Sequence, residues 1–351
     1  MGLARPDTNN TKGTAMLTVL NDPHIGAIRS GGTTLTSQWE LRQHLQREFK
    51  RLLPVNCDLM LLGDLFDSTN VPIRDVLEVF FSLKMWAAAN PGKVCWLVAG
   101  NHDLSKTSNV MSSFDFLSAL LADSCPAVIS VKAPLMTPHG YIIPHLPNQD
   151  LFNAALAEMP ECRVCYLHCN YDNNFAAMSD QSLNLSKEQV ATLPAEFIVL
   201  GHEHKSKRVG KVFIPGNQIA SSVSDWLGVR VKFFATVDDS GVALVPVPTN
   251  ADAIEFGELN WQTLGPTDHT FIRVVGNATA DQAAQVVTAI SKLRQASQAY
   301  VITNGVSIAA EDGTTAVFES ALEGVQSFSV MAALRELMTE SEMAKLEALN
   351  A

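Results

Sequence analysis

No apolar run in the 351 residues reaches the roughly 18 needed to cross a bilayer, because even MLLGDLF and VFFSLKMWAAA are interrupted by charge. A soluble chain without a membrane partner is expected. Charged residues are scarce, at 17% against 47% hydrophobic, which excludes a chain too polar to bury a core. The opening stretch MGLARPDTNNTKGTA lacks the apolar segment of a secretory signal, so residues 1–15 read as a disordered leader. Positive charge is also in short supply, with 25 Lys and Arg against 36 Asp and Glu. Taken over the whole chain, that balance disfavours a polyanionic partner.

The distribution changes this picture. Residues 251–351 hold 5 Lys and Arg against 13 Asp and Glu, so most of the net charge of −11 belongs to the last third. Two basic concentrations lie earlier, Arg42, Arg47, Lys50 and Arg51 on one helix and Lys205, Lys207, Arg208 and Lys211 in one loop. Either can meet phosphate, and a solvated face is an equally good reading of the helix. The six cysteines fall mostly in apolar strand-like runs, as reduced core thiols do in the cytoplasm. Cys162, Cys165 and Cys169 span one such run and read as core rather than as a zinc or redox site.

Short apolar runs alternate with helical patterns over residues 16–247, the signature of an α/β domain. The strand candidates are 17–20, 58–62, 94–98, 164–167, 197–200, 212–214, 231–237 and 242–247. Ser37-Gln-Trp-Glu40 reads as a capping box opening a helix to about Leu53, with Leu41, Leu45, Phe49 and Leu52 inward. Residues 248–269 lack periodicity and read as a linker. A small α+β unit is expected over 270–325, with strands at 270–275 and 300–303 and a helix over 281–298 whose inner side carries Val286, Val287, Ile290 and Leu293. Residues 326–351 read as C-terminal helices, with apolar stripes through Val330, Leu334 and Leu337 and through Met343, Leu346 and Leu349.

Five of the strand candidates run straight into metal-ligand residue types. They lead to Asp22 and His24, to Asp64 and Asp67, to Asn101 and His102, to His168, and to His202 and His204. In α/β sheets ligands gather beyond the carboxyl ends of strands, so five such ends can share one crevice. Asp, Asn and His donors without Cys suit paired divalent ions of the manganese, iron or zinc kind. On an extended segment Asp-x-His and His-x-His place both side chains on one face, because the strand period is two. A carboxylate has two oxygens and can serve two ions, and ions about 3.5–4 Å apart can neutralise a phosphate under in-line attack.

The order DxH, GDxxD, GNHD, H and GHxH resembles the calcineurin-like metallophosphoesterases over residues 17–247. The resemblance implies a core of two packed mixed β-sheets flanked by helices. It also implies a first ion on Asp22, His24, Asp64 and His204, and a second on Asp64, Asn101, His168 and His202. His102, contacting the scissile phosphate or protonating the leaving oxygen, and Asp67 are then the candidate catalytic residues. Within that superfamily GDLFD, GNHD and the 214–224 loop are most similar to the Mre11/SbcD DNA-repair nucleases of phage or bacterial type, which implies a capping domain at 270–325 and an ATPase-binding segment at 326–351. Protein Ser/Thr phosphatases carry GDxxDRG, whereas Ser68 follows Asp67 here.

The Mre11/SbcD resemblance implies a DNA exonuclease or endonuclease of repair and recombination using two divalent ions, Mn2+ first, with Mg2+, Fe2+ or Zn2+ as substitutes. Its implied partners are DNA, an SMC-like ATPase of the Rad50/SbcC type and a second copy of the chain, in the cytoplasm of a bacterium or a phage-infected host. The alternative is a metallophosphoesterase of small phosphodiesters or nucleotides.

Overall fold

The computed structural model describes residues 16–29, 35–105, 107, 110–173, 182–227, 231–247, 256–265, 267–309 and 315–317, which divide into two compact units, the first holding the described residues up to 247 except Arg29 and the second the remainder. The expected leader and C-terminal helices lie outside the described residues. Among these residues no helix is long and apolar enough to cross a membrane.

The first unit holds two six-stranded mixed sheets and five helices among its described residues. In chain order its elements are β1 (Leu17–Leu20), α1 (Leu35–Leu52), β2 (Asp58–Leu62), α2 (Ile73–Ala89), β3 (Cys95–Val98), α3 (Ser113–Ser124), β4 (Val128–Val131), β5 (Leu135–Thr137), β6 (Gly140–Ile143) and α4 (Gln149–Ala157). There follow β7 (Cys162–His168), the short pair β8 (Asn170–Tyr171) and β9 (Asn184–Leu185), α5 (Lys187–Thr192), β10 (Ala195–Gly201), β11 (Lys207–Val209), β12 (Val212–Ile214), β13 (Phe233–Asp238) and β14 (Gly241–Pro246). One sheet runs β14-β13-β1-β2-β3-β4 and the other β11-β12-β10-β7-β6-β5. Strands β1 to β4 are mutually parallel, as are β6, β7, β10 and β12.

Between the sheets Leu17, Val19, Met60, Leu62, Trp96 and Val98 meet Ile142, Val164, Tyr166, Val199 and Phe213. Each fully buried aliphatic or aromatic chain contributes roughly 1.5–3 kcal/mol. Tyr166 is wholly buried, and its hydroxyl donates to the His139 carbonyl at 3.1 Å, which removes the penalty of an unpaired O–H. The opposite face of the second sheet packs Cys165, Leu167, Ile198 and Leu200 with Phe152, Ala155 and Leu156 of α4. Because the strands are buried on both faces, they read as continuous apolar runs rather than as alternation.

Several local expectations are corrected. Helix α1 begins at Leu35, so Ser37 lies inside it instead of capping it, although Leu41, Leu45, Phe49 and Leu52 are buried as expected. The basic stretch after residue 205 is no simple loop, since Lys207–Val209 forms β11 against β12. Two of its cations are engaged, Lys207 paired to Glu203 at 2.5 Å and Lys211 donating to the carbonyls of Leu193 and Ala195 at 2.9 Å. On α1, Lys50 pairs with Glu78 and Arg51 with Glu48, each at 2.6 Å.

Arg42 grips the fully buried Asp75 of α2 at 2.7 Å through Nη2 and 2.8 Å through Nε. Removing one partner of a buried pair leaves an uncompensated charge. Arg42→Leu is therefore expected to lower stability by about 3 kcal/mol in urea unfolding. A loss below about 1 kcal/mol would show that Gln46, the other donor to Asp75, suffices alone.

The second unit contains β15 (Phe256–Asn260), β16 (Phe271–Thr279), α6 (Ala283–Ala296), β17 (Val301–Ala309) and β18 (Thr315–Val317) in one sheet of that strand order. Trp261, Ile272, Val274, Val286, Ile290, Leu293 and Val306 form its core. Strand β15 falls inside the stretch expected to be linker; its five residues hold only two large apolar side chains, too few to show a period, and pairing with β16 makes it a strand. Val287, expected on the inner side of the helix, is 61% exposed. The inward stripe is 286, 290 and 293, and position 287 lies a further 100° around the helix.

Candidate metal centre

The carboxyl ends of β1, β2, β3, β7 and β10 open on the same edge of the two sheets. Strand β1 stops at Leu20 and β10 at Gly201, so neither Asp-x-His nor His-x-His is extended as the spacing argument assumes. Asp22, His24, Asp64 and His202 have φ of +52°, +48°, +46° and +85°, in the left-handed region that side chains rarely adopt. Such residues cost of order 1–3 kcal/mol each and persist where their surroundings over-determine them. Here the loops after β1 and β2 are zipped together. The amides of Asp22, His24 and Ile25 donate to the carbonyls of Gly63, Asp64 and Leu65 at 3.2, 3.1 and 2.9 Å, and that of Asp67 to Ile25 at 3.1 Å. The side chains still converge, through paired turns instead of strand alternation.

The donors form two triads, Asp22 with His24 and His204, and Asp64 with His168 and His202; within each, the ligand atoms lie within 4.8 Å of one another. In the first, His24 and His204 present Nε2 to each other at 3.0 Å. Each ring has a carboxylate at its other nitrogen, Asp67 at 3.3 Å from His24 Nδ1 and Asp225 at 2.8 Å from His204 Nδ1. The second of these is a hydrogen bond, and such a carboxylate–imidazole pair orients the ring so that the opposite nitrogen faces a metal. In the second triad, Asn101 Oδ1 lies 3.1 Å from His168 Nε2 and 3.0 Å from His202 Nδ1, and His168 Nε2 is 3.3 Å from Asp64 Oδ2. His168 Nδ1 donates to the Leu62 carbonyl at 3.1 Å, which turns Nε2 toward the other donors. The donor sets fit two divalent ions, with imidazole, carboxylate and amide oxygen converging and no thiol among them.

His102 sits at the rim. Its backbone N–H donates to Asp64 Oδ1 at 2.9 Å, and its Nδ1 donates to the Asp67 carbonyl at 2.7 Å, which leaves Nε2 for a substrate. The expected catalytic pair is thus asymmetric. Asp67 orients His102 through its backbone, while its carboxylate faces His24.

Burial pushes the Asp64 carboxyl up, but His168, supported by His102 and His24, outweighs it and holds the group well below the usual carboxylate range. Burial lowers the His168 imidazole, and Asp64 and Asp22 more than reverse this, raising it to about 9. His204 is likewise raised, its burial overcome by Asp225. The cleft attracts positive charge, and cations binding there compete with protons for the ring nitrogens. Asp103, the last residue of GNHD, is fully buried and accepts from the amides of Leu65, Phe66 and Gly100 at 3.2, 3.0 and 2.9 Å, binding the loops after β2 and β3 together. Burial, with Asp64 nearby, pushes its carboxyl up to about 7. Sequence reasoning gave no role to Asp103 or Asp225, because nothing in their spacing marks a residue that acts by fixing another.

No curated protein matches the chain. The model of the calcineurin-like phosphoesterase family matches residues 16–206, from the start of β1 to just past His204. That stretch exceeds half of the chain and contains both donor triads, and the protein belongs to the calcineurin-like phosphoesterase family.

Proposed function

We propose that this chain is a DNA nuclease of repair and recombination that hydrolyses phosphodiester bonds with two divalent ions, manganese foremost. Family membership makes it a metal-dependent phosphoester hydrolase. The observation that carries the two-ion reading is the pair of facing triads. Asp22, His24 and His204 would hold one ion, Asn101, His168 and His202 the other, and Asp64 both. Bound there, the ions supply Lewis-acid charge to the phosphate and to the attacking water.

The remaining work belongs to the chain. Asp225 keeps the Nε2 atom of His204 directed inward through its hydrogen bond to Nδ1, while the Asp67 carboxylate lies 3.3 Å from His24 Nδ1. The Asp67 carbonyl fixes the Nδ1–H of His102, so its Nε2 is the nitrogen that can contact the scissile phosphate and give a proton to the leaving oxygen.

The spelling of GDLFD and GNHD and the compact β-α-β unit after residue 255 support a nuclease of the Mre11/SbcD kind. On this reading an SMC-like ATPase of the Rad50/SbcC type binds 326–351 and the chain works as a homodimer. Six unpaired thiols accord with a cytoplasmic setting. The second reading, a small phosphodiester or nucleotide as substrate, is favoured by the engaged basic side chains and the acidic last third. End-labelled linear duplex and bis-p-nitrophenyl phosphate, each with Mn2+, Mg2+, Fe2+ or Zn2+, decide between them. Duplex cleavage is expected, turnover of the small ester alone establishes the second reading, and inactivity on both in every metal defeats the two-ion assignment.

His102→Ala is expected to reduce kcat by roughly 10²–10⁴-fold while both ions stay bound, since only a proton donor is removed. Calorimetric metal titration checks this, and loss of one ion per chain would make His102 a ligand instead.

A further inference from the structure

Beyond β12 the chain enters a loop in which four polar residues are buried. Asn217, Gln218, Ser221 and Asp225 are between 0% and 5% exposed. Such groups need partners, and theirs lead to the metal centre. Asp225 Oδ1 accepts from His204 Nδ1 at 2.8 Å, while Oδ2 accepts from the amides of Ser221 and Ser222 at 2.8 and 2.9 Å and from the Ser221 hydroxyl at 3.3 Å. The carboxylate is therefore immobilised before it meets the imidazole. Because it can only accept, His204 carries its hydrogen on Nδ1 and turns Nε2 toward His24.

A second arm reaches the other side of the same triad. Gln218 Oε1 accepts from the Asn21 amide at 2.7 Å, and Gln218 Nε2 donates to Asn21 Oδ1 at 3.2 Å. Asn21 Nδ2 in turn donates to Asp22 Oδ2 at 2.5 Å and to the Gly216 carbonyl at 3.0 Å. The Asn217 amide holds the His204 carbonyl at 3.3 Å. Lys232, itself buried, fastens the loop from behind, donating to Asn217 Oδ1 at 2.6 Å and to the Asp225 carbonyl at 2.8 Å. Both arms end on Asp22 and His204. In the second triad the hydrogen bonds of Asp64 and His168 run to the His102 amide, Asn101 and the Leu62 carbonyl. The His202 backbone N–H links that triad to Asp22, donating to both carboxylate oxygens at 3.1 Å without involving residues 217–225.

We infer that residues 217–225 are a positioning strap for one ion only, Asp225 setting the tautomer and direction of His204 and Gln218 setting Asp22 through Asn21. This rests on the two-ion reading above, and the test separates the two claims. Mn2+ binding is measured by calorimetry and by electron paramagnetic resonance, where two neighbouring ions give a spin-coupled signal and a single ion gives six lines. The proteins are the full-length wild type, Asp225→Asn and Gln218→Met, with folding checked by circular dichroism.

The wild type is expected to bind two ions per chain. Each variant is expected to hold one ion at wild-type affinity and the other about 10–100-fold more weakly, converting the coupled signal to the isolated one at limiting metal. Two ions at unchanged affinity in both variants would overturn the strap and leave the dinuclear centre standing, as would equal weakening of both ions, which marks a purely structural loop. If Asp225→Asn does not fold, Gln218→Met, which keeps His204 and Asp225 intact, decides alone. Fewer than two ions in the wild type would defeat the two-ion reading itself.

Discussion

Asp64→Asn is expected to cut turnover of bis-p-nitrophenyl phosphate in manganese by at least about a thousandfold, roughly 4 kcal/mol of transition-state stabilisation, while the fold survives. The side chain is fully buried and its size is kept, so the His102 amide retains an acceptor at the Oδ1 position. What disappears is the negative charge that His168, His102 and His24 hold ionised and that two ions would share. A neutral amide offers one weak donor oxygen where a carboxylate offers two charged ones. Steady-state kinetics beside circular dichroism measure this, and a variant with more than about 1% of wild-type kcat would remove Asp64 from the centre of the assignment.

Gly63→Ala is expected to damage stability and chemistry together. Gly63 has φ of +84°, and a Cβ there would meet His168 at 2.0 Å from Nδ1 and 2.5 Å from Cγ and Cε1. That is the body of a ring, buried and tied to the Leu62 carbonyl, with no flexible end to swing aside. Left-handed strain of about 1 kcal/mol adds to an overpacking cost of about 1–3 kcal/mol, for a total near 3 kcal/mol. Gly92→Ala is the natural control, since it shares a positive φ of +78° but meets nothing within 4 Å. It should lose only the conformational part, about 1 kcal/mol. Equal melting temperatures for the two variants would show that His168 moves freely and that its placement does not depend on Gly63.

The donors of this centre were legible because strand ends in an α/β sheet concentrate function, and Asp, Asn and His after an apolar run are conspicuous. The geometry that unites them was not. Period-two reasoning put Asp22 beside His24 by way of an extended chain, whereas both residues are left-handed. What holds them is a ladder between two loops some 40 residues apart in sequence, a cause that a local pattern cannot contain. Asp225 was illegible for a similar reason, because it lies 21 residues beyond His204 and its significance is only its distance to Nδ1. Strands β5 and β11, three residues each, exist because a neighbour offers a free edge. The helix faces fared better, as Leu41, Leu45, Phe49 and Leu52 show, because a 3.6-residue period is written entirely within one element.

The long separation of the donors also governs when the protein acquires its chemistry. His24 and His204 are 180 positions apart, and Asn101 and His202 are 101 apart. Contacts so distant form late, after the intervening loops have closed. A chain emerging from the ribosome as far as β7 already carries Asp22, His24, Asp64, Asn101 and His168, yet it completes neither triad, because each requires a residue from the turn that follows β10. Both ion sites are therefore born in the same event, the docking of β10 beside β7. A chain that stops before the turn after β10 completes neither site.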